Sequence, residues 1–149
     1  MLTEKDYCDY DTCVALKELG YKVPTSAYYM PNNKQLIFII NQFRGGAAMD
    51  CFFSNNSLPK ECMASDLIDA PTMWEAQKWL REEKEICVEV LAYPAGYIWS
   101  LCHAYNPNNI FGGILIKRKG VYETHEEALL EGVRASIKLL KEENKKRKV

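Results

Sequence analysis

The sequence predicts an α+β fold in which a helix and a hairpin are followed by the order α-β-β-β-α, with an antiparallel sheet that carries its helices packed on one face. Three observations support this class. Two segments with helical periodicity begin behind capping boxes. Runs rich in aromatic and branched residues are separated by short turn sequences. Most strands follow one another directly, which favours antiparallel pairing.

The first half predicts one helix and one hairpin. The helix extends over Asp9 to Leu19, and Gly20 occupies the position where a helix C′ glycine belongs. Strands follow at Thr25–Met30 and Gln35–Asn41, and the intervening "PNNK" is a typical turn sequence. The second strand is almost continuously apolar, which predicts a strand that is central or covered on both faces.

Residues 42–69 have no convincing period. A short strand is indicated at "MDCFF", and the following "SNNSLPKECMASD" is typical of a loop. A connection of this length is unusual in a compact domain. It is therefore either a functional loop or a segment that contains an element without a clear sequence signal.

The segment "APTMWEAQKWLREEK" predicts the second helix. Thr72 is the N-cap, and Glu75 completes a capping box three residues later. Winding at about 100° per residue gathers a buried stripe, which consists of Met73, Ala76, Trp79 and Leu80. Trp74 falls outside this stripe, so it either packs under the long loop or lies exposed at a contact surface.

A β-meander and a last helix complete the chain. The strands are "EICVEVLAY", "YIWSLCHAY" and "IFGGILIKRK", joined by turns at "PAG" and "NPNN". Gly112–Gly113 predicts either a bulge or a close backbone approach. A second capping box, Thr124 with Glu127, opens the last helix. This organisation predicts a single domain over residues 1–143 and a basic flexible tail over residues 144–149.

Composition excludes some settings. The formal net charge is −1, so no overall field attracts the chain to nucleic acid or to an anionic membrane. The first residues lack the basic and apolar pattern of a signal peptide, and the longest apolar run is too short to span a bilayer. Six cysteines without a Cys-x-x-Cys motif predict buried thiols in a reducing, cytoplasmic setting.

Three segments carry a family resemblance: "DTCVALKELGY", "APTMWEAQKWLREEK" with its following meander, and "THEEALLEGVRASIKLL". Together they resemble a group of small bacterial and phage- or prophage-encoded α+β proteins. The group has no established activity, cofactor or catalytic residue. The resemblance therefore implies a phage-related setting and transfers no functional residue.

Nucleic-acid binding is a minor alternative. The order α-β-β-β-α resembles that of the double-stranded RNA-binding domain, which grips phosphates with a basic cluster at the start of its last helix. Here that position is "THEEA", whose carboxylates repel phosphate. Specific nucleic-acid binding is therefore not expected. The terminal basic run is a candidate anion-binding tail, and it consists of Lys145, Lys146, Arg147 and Lys148.

No catalytic constellation is evident, so the sequence favours a non-enzymatic protein and leaves an enzyme as the alternative. A tight turn places Cys87 opposite or diagonal to His103, but no third group orients the imidazole and no further metal ligands follow. No cofactor or metal is expected. The alternative is a small-ligand binder or enzyme that uses residues 42–69 as a lid. Its candidate pocket residues are Asp50, Cys51 and His103.

The leading hypothesis is an accessory protein that acts by protein–protein contacts, either with a partner of unknown identity or with a second copy of itself. Trp74, Tyr28 and Tyr29 are the candidate interaction residues. Adjacent strand residues point to opposite faces of a sheet, so one of the two tyrosines is expected to face outward.

Overall fold

A computed structural model of the chain describes residues 2–44, 47–52, 67–103 and 115–147. The chain divides into two compact units, Met1–Pro71 and Thr72–Val149. Each unit combines helix with antiparallel strands, so the predicted α+β class is confirmed. The single domain over residues 1–143 stays a prediction, because two compact units can belong to one folding domain.

The first unit contains a helix and four paired strands among its described residues. After a short 3-10 turn, the elements are α1 (Tyr10–Glu18), β1 (Ala27–Tyr29), β2 (Leu36–Arg44), β3 (Ala47–Phe52) and β4 (Ile68–Asp69). All neighbours pair antiparallel in the order β3-β2-β1-β4. The apolar strand β2 therefore has a strand on each side, as its sequence predicts.

The predicted hairpin joins β1 and β2. The Met30 amide donates to the Gln35 carbonyl oxygen at 3.0 Å, and Lys34 closes the turn in the left-handed region with φ of 56°. Strand β1 begins two residues later than predicted. The Thr25 hydroxyl there donates to the Ala27 carbonyl oxygen at 2.7 Å, a local bond that competes with the sheet ladder.

In its described part, the segment over residues 42–69 contains strands that lack a clear sequence signal, which is one of its two predicted alternatives, and the short strand indicated at "MDCFF" corresponds to β3. Strand β2 continues to Arg44, which lies opposite Ala47 of β3, and β4 covers Ile68–Asp69. Strands β2 and β3 are stabilised by backbone hydrogen bonds to each other, which the pattern of side chains does not reveal. Strand β4 has only two residues and is too short to show a period. Most of the predicted loop, residues 53–66, lies outside the described residues.

The second unit contains a three-stranded meander between two helices. Its elements are α2 (Met73–Glu83), β5 (Ile86–Tyr93), β6 (Gly96–His103), β7 (Leu115–Tyr122) and α3 (His125–Arg147). The strands pair antiparallel in the order β5-β6-β7, and Tyr93 lies opposite Gly96 across the predicted tight turn. The predicted turn at residues 106–109 and the bulge at Gly112–Gly113 lie outside the described residues.

The helices of the second unit pack against its sheet, as predicted. Helix α3 buries one stripe against β5 and β6, which contains Leu129, Val133 and Ile137. The sheet contributes Val88, Trp99 and Leu101 to this core. Gly132 lies at the closest approach, where an added Cβ would come within 2.6 Å of Val88 Cγ1 and 3.2 Å of Trp99 Cβ.

Helix α3 extends past the predicted end of the domain at residue 143. Lys145, Lys146 and Arg147 belong to its last turn. Lysine and arginine are good helix formers, and their charge is favourable at the negative end of the helix dipole. The predicted tail is therefore helical as far as residue 147.

We expect Gly132→Ala to destabilise the second unit. The substitution favours an isolated helix by about 1 kcal/mol. Inside this interface, however, overpacking costs about 1–3 kcal/mol. Urea unfolding followed by circular dichroism measures the balance.

The matched control is the double variant Gly132→Ala/Val88→Ala, which removes the closest clash. We expect it to lose less stability than the sum of the two single variants, because the two sites interact directly. Additive losses would show that the Val88 contact is not what limits the approach of α3.

Candidate functional site

Helix α2 presents one tryptophan to the core and the other to solvent. The Glu75 amide donates to Thr72 Oγ1 at 3.2 Å, and the Thr72 amide donates to Glu75 Oε1 at 3.0 Å, so the predicted capping box is confirmed. The box fixes where the helix begins and therefore which side faces inward. Trp79 is buried, whereas Trp74 is 39% exposed.

Charged side chains flank Trp74 on the exposed side of α2. Lys78 and Arg81 follow at helical spacings of four and seven residues, and both are exposed. Lys78 lies 4.0 Å from Glu82 in a solvent-exposed ion pair. We name Trp74, Lys78, Arg81 and Glu82 the Trp74 surface. It offers an aromatic anchor beside two cations and one carboxylate.

The two candidate tyrosines face opposite ways, as alternation predicts. Tyr29 is buried, stacks edge-on against Tyr10 at 5.7 Å between ring centroids, and donates its hydroxyl to the Cys8 carbonyl oxygen at 2.8 Å. Burial raises the pKa of Tyr29 well above its ordinary value. Tyr28 is partly exposed on the other face, opposite Asp69. Of the two tyrosines, Tyr28 is therefore the one available at a surface.

The core of the first unit contains a pair of thiols. Cys13 donates its Sγ proton to the Cys8 carbonyl oxygen at 3.5 Å, and both residues are buried. Hydrogen bonding with Cys8, followed by burial, raises the pKa of Cys13 far above that of a free thiol. A thiol held protonated in the core is a weak nucleophile, so this pair serves packing, as the sequence predicts for buried cysteines.

The predicted pocket residues lie on different units. Asp50 and Cys51 belong to β3 of the first unit, opposite Asn41 and Ile40, and their side chains lie outside the described part of the structure. His103 is exposed at the end of β6 in the second unit. The predicted pocket therefore stays a prediction.

The register of β5 and β6 also shows whether Cys87 and His103 can act together. Cys87 lies directly opposite Cys102, and His103 lies opposite Ile86. His103 is thus diagonal to Cys87 by one position, which places the two side chains on opposite faces of the sheet. A nucleophile and base pair does not form here. In the described residues, no group of three or more histidine, cysteine, aspartate and glutamate side chains could hold a metal ion.

A small cleft lies between α3 and the sheet of the second unit. Its volume is about 240 Å³. The lining consists of Leu101, Lys117, Ala135, Lys138, Leu139 and Glu142. The residues from α3 follow a helical stripe, and Leu101 forms a buried apolar floor. The two lysines and one glutamate give the cleft a polar rim, and sequence reasoning missed this site because its residues come from three separate segments.

The basic terminal residues follow Glu142, the last cleft residue on α3, along the same helix. Lys145, Lys146 and Arg147 occupy the last turn of α3, and all are exposed. Lys148 lies outside the described residues. The interaction of these cations with the helix dipole accounts for their position without any bound anion.

Comparisons with known proteins add no assignment. No family model matches the sequence, and neither the curated proteins nor the solved structures gave a significant match. Among the described helices, none combines the length and apolar character needed to cross a membrane.

Asp69 provides a pH-dependent test of the first unit. Burial raises the pKa of its carboxyl, and the charge of Lys17 opposes that effect. A raised folded pKa means that stability from the neutral carboxyl is present below the unfolded pKa of about 3.9 and is lost as pH rises through the folded pKa. We expect Asp69→Asn to be more stable than the natural chain at pH 7, with the difference disappearing in acid.

Urea midpoints of both chains between about pH 3 and pH 7 measure this difference. Asp11→Asn is the matched control, because Asp11 is exposed in the first turn of α1, where a negative charge is favourable. It should not stabilise the protein at any pH. A loss of stability for Asp69→Asn at pH 7 would show that attraction to Lys17 outweighs burial.

Proposed function

We propose that this protein is a cytoplasmic, non-enzymatic accessory protein that acts through protein–protein contacts, with the Trp74 surface as its contact. One observation carries the proposal: Trp74 is 39% exposed on a helix whose orientation is fixed by a capping box and a buried stripe. The aromatic side chain is therefore presented on a rigid element. A phage-related setting follows only from the family resemblance and is part of the proposal.

Tryptophan is the type of residue that carries binding energy at protein interfaces. A large ring buries much apolar area while few rotatable bonds are frozen, and tryptophan and arginine are enriched among interface hot spots. Trp74 has Arg81 and Lys78 on the same side of α2. This arrangement favours a partner that combines an apolar pocket with acidic residues.

The cytoplasmic setting agrees with the thiol chemistry. The four cysteines with described side chains are all free thiols, and two of them are only partly buried. Partly exposed thiols persist where the compartment is reducing. Self-association is the form of the contact that can be tested without knowing another partner.

We expect the protein to self-associate at high micromolar concentration and Trp74→Lys to weaken that association. Light scattering coupled to size exclusion, with cross-linking, measures the mass. Val23→Lys is the matched control, because Val23 is 45% exposed in the first unit and does not belong to the Trp74 surface. Equal effects of both substitutions would contradict a specific role for Trp74.

Fluorescence quenching locates the contact within the protein. Trp79 and Trp99 are buried, so iodide should quench mainly Trp74 in dilute protein. Trp74→Phe should remove the quenchable emission. If Trp74 lies at the contact, quenching should fall as protein concentration rises. A protein that stays monomeric at every concentration would eliminate self-association and leave contact with a different protein.

The cleft of the second unit supports a second candidate function, the binding of a small amphipathic anion. An apolar floor at Leu101 with Lys117 and Lys138 at the rim suits a short alkyl chain that ends in a carboxylate. The cleft is smaller than the usual range for drug-sized ligands, so the ligand must be small. An enzymatic role remains part of this alternative.

Hexanoate is a suitable probe of the cleft. We expect millimolar hexanoate to raise the thermal midpoint of the natural chain, because a ligand that binds the folded state stabilises it by mass action. Lys117→Glu should abolish the shift. Lys119→Glu is the control, since Lys119 is an exposed residue of the same strand outside the described lining. An equal shift in all three proteins would indicate a general salt effect.

A further inference from the structure

The second unit places two cysteines side by side on adjacent strands. Cys87 of β5 lies directly opposite Cys102 of β6. Directly opposed residues of an antiparallel pair have Cα atoms about 4.5–5.5 Å apart, depending on the hydrogen-bonding position. Disulfides span Cα distances of about 4.4–6.8 Å. A disulfide between Cys87 and Cys102 is therefore compatible with both a hydrogen-bonded and a non-hydrogen-bonded pair.

Both thiols lie on the sheet face that points away from the core. Ile86 and Val88 flank Cys87 and are buried, and the same holds for Leu101 beside Cys102. Alternation then places the two cysteines together on the opposite face. Both are partly exposed, in contrast to the fully buried Cys8 and Cys13 of the first unit.

The surroundings of Cys87 favour its protonated form and so lower its reactivity. Burial is the main reason that the pKa of this thiol is raised, and Glu89, which accepts from Cys87 Sγ at 3.8 Å, raises it further. Arg81 acts in the opposite direction, and Cys102 also raises the pKa. The influence of Cys102 on Cys87 agrees with the closeness that the register implies.

We propose that Cys87 and Cys102 form a redox-sensitive dithiol that a peroxide oxidises to an intrachain disulfide between β5 and β6. The thiolate of one cysteine attacks a peroxide oxygen, the O–O bond breaks, and a sulfenic acid and a water form once the leaving oxygen is protonated. The second thiol then attacks the sulfenic sulfur, the S–O bond breaks, and the S–S bond forms with release of a second water. The two sulfurs together lose two electrons, and the peroxide gains them.

The bond would join an edge strand to the central strand of the meander. It closes the chain segment from residue 87 to residue 102 in the unfolded state, which reduces the freedom of the unfolded chain. Oxidation therefore makes the second unit harder to unfold, and reduction by cellular thiols reverses the effect.

Mass spectrometry of the full-length protein tests the proposal. The chain is treated with hydrogen peroxide, blocked with N-ethylmaleimide and digested without reduction. No lysine or arginine lies between Lys84 and Lys117, so trypsin leaves both cysteines in one peptide. A disulfide makes this peptide lighter by two hydrogens and free of maleimide. Chymotrypsin cleaves between the cysteines at Tyr97 and Trp99, and its fragments then stay linked.

We expect the link to form about tenfold faster in the folded chain than in urea, because the register holds the sulfurs together. The oxidised protein should also have a higher urea midpoint than the reduced protein. Cys87→Ser and Cys102→Ser should each abolish the link and the shift, and Cys8 and Cys13 should stay unlinked under the same treatment because they are buried.

Three outcomes would overturn the proposal. Maleimide on both cysteines after peroxide treatment would show that no bond forms. An equal rate in folded and urea-unfolded protein would show that the register gives no advantage. A link from Cys87 to a cysteine other than Cys102 would show that Cys102 is not its partner.

Discussion

The close approach of α3 to the sheet at Gly132 determines the arrangement of the second unit. Because this residue has no side chain, the helix backbone lies against Val88 and Trp99. The stripe of α3 that contains Leu129 and Val133 is then buried on the same sheet face. The opposite face of the sheet carries the residues that alternate with these core residues along each strand, and Cys87 and Cys102 are among them.

The same approach explains where the cleft lies. Packing is closest at Gly132, and the cleft begins one turn further along α3 at Ala135. From there to Glu142, the helix lies beside Leu101 and Lys117 with space between them. Charged residues are tolerated at this end because water reaches them, whereas the tightly packed part of α3 admits small and apolar residues.

The sequence predicts those features that depend on local chemistry. The capping box at Thr72 fixes α2, and from that fixed start the helical period separates buried Trp79 from exposed Trp74. The turn after Tyr93 is likewise a local signal. Strand β4 and the cleft could not be predicted, because both arise when segments distant in sequence meet. The pairing of Cys87 with Cys102 is partly predictable from the sequence. It follows from the turn after Tyr93 by counting along both strands, but only once the turn is known to be tight.

Arg81 is common to the two surfaces of the second unit that carry functional proposals. It lies on the exposed side of α2 seven residues after Trp74, and its charge favours the thiolate of Cys87. Burial and Glu89 keep the Cys87 thiol mostly protonated, so Arg81 acts on the small fraction of thiolate that reacts. Arg81 therefore belongs to the Trp74 surface and also favours the ionised form that the proposed oxidation needs.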